Sequence, residues 1–165
     1  MIDEERAILA LAVPFGEASL NDGRVFEAKA FRLFVDGETG LPMRWSHGPL
    51  YDHHGVIGDC GMWRYFHILE GGGRIPSGLL ALGSVFPGPH GDSLLIDVQR
   101  GEIGMASIAA DVDSETGMAW PFELSLVHSG AYPSALILGH GIMAVNRWEL
   151  LTRTGFSQAR AQPSR

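Results

Sequence analysis

The sequence predicts a single, mainly β domain of the α+β class. Three observations lead there. The chain has 165 residues, most simply one domain, and enough to bury a core without disulfide or metal staples. Apolar residues make up 45% and charged residues 19%, a globular balance rather than a disordered one. Its 22 glycines and 9 prolines are scattered along the length, so the chain is cut into short elements joined by turns.

Ala7 to Phe15 reads as a strand running into a loop, with Pro14 at its end or at an edge, where a missing N–H costs no ladder bond. Leu20-Asn21-Asp22-Gly23 is a turn. Phe26, Ala30, Phe31 and Phe34 are spaced as on one face of a short amphipathic helix over Val25 to Phe34, which Asp36 to Gly40 ends. Leu41 to His47 is a strand, and Tyr51 to Gly55 a polar loop. Val56-Ile57-Gly58 begins another strand that continues through Met62 to Phe66. Glu70-Gly71-Gly72-Gly73-Arg74 lacks the lysine and the Ser/Thr of a phosphate loop and reads as a hairpin connection.

Gly78 to Phe86 returns as a strand. His90 to Gly101 is the clearest helix: Asp92 or Ser93 can cap it, Leu94, Leu95 and Val98 share a face, and Gly101 stands at the C-terminal cap. The small, apolar run within Arg100 to Asp113 is a buried strand with one hydroxyl, Ser107, at its centre. Ser114 to Gly117 turns the chain into a strand over Trp120 to Val127, and Ala131 to Ala135 is a constrained loop. Ile142 to Leu151 is a last strand or short helix. The domain is expected to span residues 1–151, with a disordered tail over 152–165, where Arg, Gln, Ser and Pro accumulate.

The formal net charge of −7 offers no electrostatic footprint for a phosphate backbone, so no nucleic acid partner is expected. Cys60 is the only cysteine, so no internal disulfide can form. The N-terminus is acidic where a signal peptide would be basic, and no stretch approaches the length of a membrane span. A soluble, intracellular protein without a membrane partner is expected.

Three polar residues fall on or at the ends of apolar strands: His47, Ser107 and Glu123. Each has an ordinary structural explanation, as a satisfied histidine, a locally bonded hydroxyl and an edge carboxylate. Together they supply the parts for acyl transfer. A serine hydroxyl is almost never ionised at neutral pH; an imidazole can take and return its proton, and a carboxylate can orient the imidazole. His53 and His54 are alternative bases in the neighbouring loop, and His128 is an alternative third member. If Trp120 to His128 is one strand, Glu123 and His128 point to opposite faces, so only one of them can face the site. Asp52, His53, His54, Asp59 and Cys60 are the residues a metal reading would gather, but no pair among them has a recognised zinc spacing. Cys60 as a nucleophile lacks a paired motif and reads as a small buried residue.

The order and surroundings of these residues resemble the HK97-type phage prohead (capsid maturation) protease family, itself herpesvirus assemblin-like. Trp45-Ser46-His47-Gly48-Pro49 with Ile57-Gly58 is similar to the family's histidine segment. Arg100-Gly101-Glu102-Ile103-Gly104-Met105-Ala106-Ser107 is similar to its serine motif. Glu123-Leu124-Ser125-Leu126-Val127 and Ala131-Tyr132-Pro133 are similar to its acidic segment and the turn that follows. Val13 to Gly16 and Ala30-Phe31 resemble its opening motifs, so the likeness covers about residues 7–135. The departures lie at Ala106 and Ile108 around the serine, at Gly48 after the histidine, and at Ser129-Gly130 before Ala131.

The resemblance implies an antiparallel β-barrel flanked by a few helices, as in herpesvirus proteases. It also implies a serine endopeptidase with Ser107 as nucleophile, His47 as base and Glu123 as orienting acid, and it calls for no cofactor and no metal. Its substrates would be the scaffold segment of the major capsid protein and the protease itself. The setting would be the host bacterial cytoplasm inside an immature capsid, and the protein a homodimer. A catalytically inactive capsid-assembly or binding protein that keeps the barrel is the alternative reading.

Overall fold

The computed structural model describes residues 2–37, 40–46, 50–52, 55–71 and 74–159, with the side chains of 50–56 and 154–159 outside the description. After a 3₁₀ turn at Glu4–Arg6, the strands are β1 (Ala7–Pro14), β2 (Leu41–Trp45), β3 (Leu50–Asp52), β4 (Gly55–Ile57), β5 (Asp59–Leu69), β6 (Gly78–Val85), β7 (Met105–Val112), β8 (Ala119–Val127) and β9 (Ile137–His140). The helices are α1 (Arg32–Asp36), α2 (Pro89–Gln99) and α3 (Ile142–Ala159).

Seven strands form one curled half-barrel sheet in the order β7-β8-β2-β5-β6-β1-β9. All neighbouring pairs are antiparallel except β2 and β8, which run parallel, within the mainly β architecture flanked by a few helices that the sequence predicts. The segment before β9 draws the two ends of the sheet together. Ala106 N–H donates to the Ala135 carbonyl at 2.9 Å, Ile137 N–H to Gly104 at 2.9 Å, and Leu11 N–H to Leu136 at 2.9 Å.

β1 explains how the layers stack. All eight of its residues are buried, which is the mark of a strand covered on both faces. Ile8, Ala10 and Ala12 belong to the cluster inside the curled sheet. Ala7, Leu9 and Leu11 join Leu80, Leu82 and Ala144 in a second cluster on the outer face, against which Val145, Trp148 and Leu151 of α3 pack. Inside, Trp63 is fully buried, and its indole N–H donates to the Leu124 carbonyl at 2.9 Å, tying β5 to β8. Phe31, fully buried, stacks on Phe15 with ring centroids 6.1 Å apart and meets a tilted Phe26 ring at 5.1 Å.

Several expectations are corrected. The helix expected from Val25 begins as a 3₁₀ turn at Ala28–Phe31 and continues as α1, although the four residues that predicted it are all buried. Of the polar loop expected at Tyr51 to Gly55, Tyr51, Asp52 and Gly55 belong to a separate ribbon in which Leu50 pairs with Ile57 and Tyr51 with Val56, and His53 and His54 lie outside the described residues. An aromatic residue on one arm, Tyr51, and two β-branched residues on the other, Val56 and Ile57, are types that favour that pairing. Val56 and Ile57 therefore end one strand, and β5 begins afresh after Gly58. α2 starts at Pro89, with Gly88 as its N-cap, rather than at Asp92 or Ser93. Proline at the first helical position has no N–H to leave unpaired and a φ already suited to the helix. Asp92 is spent elsewhere, on Arg6 at 2.7 Å. Gly91 lets α2 close onto the end of β6, since a Cβ there would lie 1.9 Å from the Phe86 carbonyl oxygen. Gly101 has φ +78, the left-handed conformation of a residue just past a helix end. The segment from Ile142 is a helix, and it runs past Leu151 to Ala159.

Candidate active site

Ser107 sits in the middle of β7, directly opposite Ser125 of β8, and Ala109 stands opposite Glu123. Cross-strand partners share a face and residues two apart share a face, so Ser107, Ser125 and Glu123 project together. The other parity, Leu124 and Leu126, fills the interior. A bulge between Ala109 and Ala110 lets β8 present Ala119 to the interior as well. The three polar residues are thus on the outer face of the sheet. Ser107 is half-buried, Glu123 is 6% exposed and Ser125 is fully buried.

The surroundings of Glu123 are well defined. The Ser125 hydroxyl donates to its Oε2 at 2.5 Å. Arg44 Nη1 lies 3.5 Å from Oε1, an ion pair longer than a hydrogen bond. Arg44 reaches it because β2 runs beside β8 with Arg44 opposite Ser125. On its other side, Arg44 Nε donates to Asp59 Oδ1 at 3.0 Å. β2 ends at Trp45, opposite Leu126. Ser46 N–H then donates to the Leu126 carbonyl at 3.0 Å. Ser46 has φ +54, a left-handed conformation unusual outside glycine and enriched at functional sites.

Next to Ser107 a groove of about 380 Å³ runs along β7, lined by Arg24, Asp22, Phe122, Ala110 and Tyr132 among others. In an antiparallel ladder alternate residues turn their N–H and C=O to opposite sides. Gly104 and Ala106 use that outward side to bond Ile137 and Ala135. Ile108 and Ala110 have the same parity and aim their backbone groups at the groove. Among the described residues no backbone partner meets them there.

The loop over Ala131 to Ala135 walls this groove and is braced as its composition predicts. Ser134 N–H donates to Glu17 Oε2 at 2.9 Å, the Tyr132 hydroxyl to the Arg24 carbonyl at 3.1 Å, and Leu20 N–H to the Ala131 carbonyl at 2.8 Å. Burial, with Asp22 nearby, raises the Tyr132 phenol above its ordinary value, so it remains a donor. The Arg24 N–H holds the Asp22 carboxyl below its ordinary range.

Of the residues singled out in the sequence, Ser107 and Glu123 therefore share one face of adjacent strands. His47 lies outside the described residues, as do the alternative bases His53 and His54. His128 follows the end of β8 and is exposed, with Nδ1 3.0 Å from the Glu102 carbonyl oxygen. Cys60 is buried, and that burial, with Asp59 beside it, pushes its thiol up to about 11, which keeps it protonated at neutral pH. Among the described residues no group of three or more His, Cys, Asp and Glu could hold a metal, and no helix is long and apolar enough to cross a membrane.

Ser125 and Arg44 were not singled out in the sequence. Ser125 could have been found, being two residues from Glu123 on a strand. Arg44 could not, because its proximity to Glu123 depends on the parallel β2–β8 pairing.

No known family profile matches the chain, and no curated protein matches it in sequence. Solved structures do match in fold. A protease of Kaposi's sarcoma-associated herpesvirus in complex with a hexapeptide phosphonate inhibitor has a TM-score of 0.57 at 12% identity, covering 96% of this chain and 80% of that one. Two structures of the same viral protease with allosteric inhibitors have TM-scores of 0.55 and 0.53 at 12% and 14% identity, each covering 96% of this chain and 95% of theirs. The likeness at this identity is one of architecture, and it does not single out the phage prohead proteases. The chain has a herpesvirus-protease-like fold.

Proposed function

We propose that this chain is a serine endopeptidase of the capsid-maturation kind, with Ser107 as nucleophile, His47 as general base and Glu123 as the orienting carboxylate. The observation that carries this reading is the shared outer face of Ser107 and Glu123 beside an open strand edge. The two are diagonal neighbours across the β7–β8 ladder, about 7–8 Å apart at the backbone. That span leaves room for one imidazole bonded at both nitrogens, each bond about 2.8 Å long. β2 supports the same reading, since it leads the chain to Ser46 at the Leu126 carbonyl and His47 is the next residue.

In this reading a substrate segment lies extended along β7 and bonds the outward backbone groups of Ile108 and Ala110, a form of strand addition. Ser107 Oγ attacks the peptide carbonyl while His47 takes the hydroxyl proton. His47 then gives that proton to the departing amine, leaving an acyl-serine. Water, deprotonated by the same imidazole, attacks the acyl group, releasing a carboxylic acid and restoring Ser107. Glu123 stabilises the imidazolium formed at each stage.

By the sequence resemblance, the substrates are the scaffold segment of a phage major capsid protein and the protease itself. By the same resemblance, the protein works as a homodimer inside an immature capsid in a bacterial cytoplasm. No cofactor enters the scheme. Digestion of a mixed peptide library, read by mass spectrometry, tests it. The wild type is expected to release internal cleavage products that Ser107→Ala does not. A folded wild type that cuts nothing and carries no reactive serine favours the inactive assembly protein.

A further inference from the structure

We propose that Arg44 is a positioning residue for this site: anchored by Asp59, its guanidinium keeps Glu123 ionised and fixed in orientation, and lowers the affinity of the whole site for protons. This rests on the peptidase reading above.

The Glu123 side chain is only 8% exposed, against 35% for Arg44 and 46% for Asp59. A carboxylate that deeply buried loses hydration and is driven toward its neutral form unless an opposite charge and hydrogen bonds restore the balance. Ser125 supplies the hydrogen bond at Oε2 and Arg44 the charge at Oε1, so both oxygens are engaged and the carboxylate plane is set. An arginine suits this place better than a lysine. It carries several N–H groups in a rigid fork and can meet Asp59 through Nε and Glu123 through Nη1 at once.

The described charged groups around Glu123 are few. β2 contributes Arg44 and, through it, β5 contributes Asp59. β7 turns Ser107 and Ala109 to that face, with Asp111 further along, and β8 adds Ser125. Arg44 is thus a cation in direct contact with Glu123.

A fixed positive charge beside a carboxylate–imidazole pair makes every proton bound by the pair less stable. Removing it must raise the apparent pKa values of the pair together. Removing Asp59 must lower them, by less, because Asp59 is more exposed and further from Glu123.

The test is the pH dependence of the rate at which a fluorophosphonate inactivates the full-length protein, for wild type, Arg44→Gln, Arg44→Lys and Asp59→Asn. Intact tryptophan fluorescence serves as the folding control. Arg44→Gln is expected to move the acid limb upward by about one pH unit and so to slow inactivation by up to about tenfold at pH values below the limb. Arg44→Lys is expected to keep the limb near its wild-type position while losing part of the rate. Asp59→Asn is expected to move the limb downward. A purely structural Arg44 would lower the active fraction at every pH and leave the limb in place, and that result overturns the proposal. A wild type that never reacts overturns the peptidase reading instead.

Discussion

Ser107 stands directly across from Ser125 in the β7–β8 ladder, and the Ser125 hydroxyl donates to Glu123 at 2.5 Å. This pairing gives the outer face of the sheet a chemical character. One hydroxyl is half-buried beside a groove, while the other is fully buried and serves a carboxylate. Of the two, Ser107 is the one that lines the groove.

Glu123→Gln keeps the shape of the side chain but removes its charge. If Glu123 stabilises an imidazolium, peptide cleavage should fall on the order of 10³–10⁴-fold with little change in the unfolding midpoint. Steady-state kinetics beside urea denaturation checks this. Equal cleavage by the variant contradicts the assigned role.

Ser125→Ala should act mainly on stability. It removes a hydrogen bond to a buried carboxylate, which costs about 1–3 kcal/mol. Urea unfolding reads the loss directly. An unchanged midpoint means that the Glu123–Ser125 bond contributes nothing to the fold.

Arg6 pins the end of β6 to α2. Its Nε donates to the Val85 carbonyl at 2.9 Å, and its Nη2 to the Phe86 carbonyl at 2.8 Å and to Asp92 at 2.7 Å. Arg6→Met keeps the packing of the stem and removes the donors, so it should destabilise the protein by roughly 1–3 kcal/mol. Thermal unfolding is the measurement, and an unaltered transition temperature refutes the pinning role.

Stability should decline on the acid side through two exposed turns. Asp113 accepts from the N–H groups of Glu115 and Thr116 at 2.8 and 3.1 Å, and Asp22 from that of Arg24 at 3.0 Å; both carboxyls are held below their ordinary value of 3.8. A folded value below the unfolded one means that the contribution is whole above the unfolded value and is lost as pH falls through the folded one. Urea midpoints should therefore fall below about pH 4. Asp113→Asn, which still accepts the two bonds but does not titrate, should flatten that decline. A decline of undiminished slope in the variant counts against the assignment.

Much of the fold was legible in the sequence because it rests on local patterns. β1 declared itself by an unbroken apolar run, α2 by Leu94, Leu95 and Val98 with Gly101 behind them, and the 3₁₀ turn with α1 by the spacing of Phe26, Ala30, Phe31 and Phe34. What was hidden depends on distant pairing. β9 is four residues long and includes Gly139, too short for any periodic pattern to show. The parallel register of β2 on β8 joins segments about eighty residues apart, and nothing local announces it. The candidate site divides in the same way. Ser107 and Glu123 stood out as polar residues in apolar strands, whereas Arg44 and Asp59 take their place only from sheet order. The β2–β8 pairing also explains why a strand near the N-terminus can serve a site built on two later ones.

Covalent labelling tests most directly whether Ser107 is an activated nucleophile. Full-length protein is treated with a fluorophosphonate, its intact mass is measured, and the modified peptide is sequenced. A single adduct on Ser107 is expected, absent from Ser107→Ala and formed at least about a hundredfold more slowly in His47→Ala, on the order of the contribution of a general base. No adduct on the folded wild type, or one on any other residue, would contradict it.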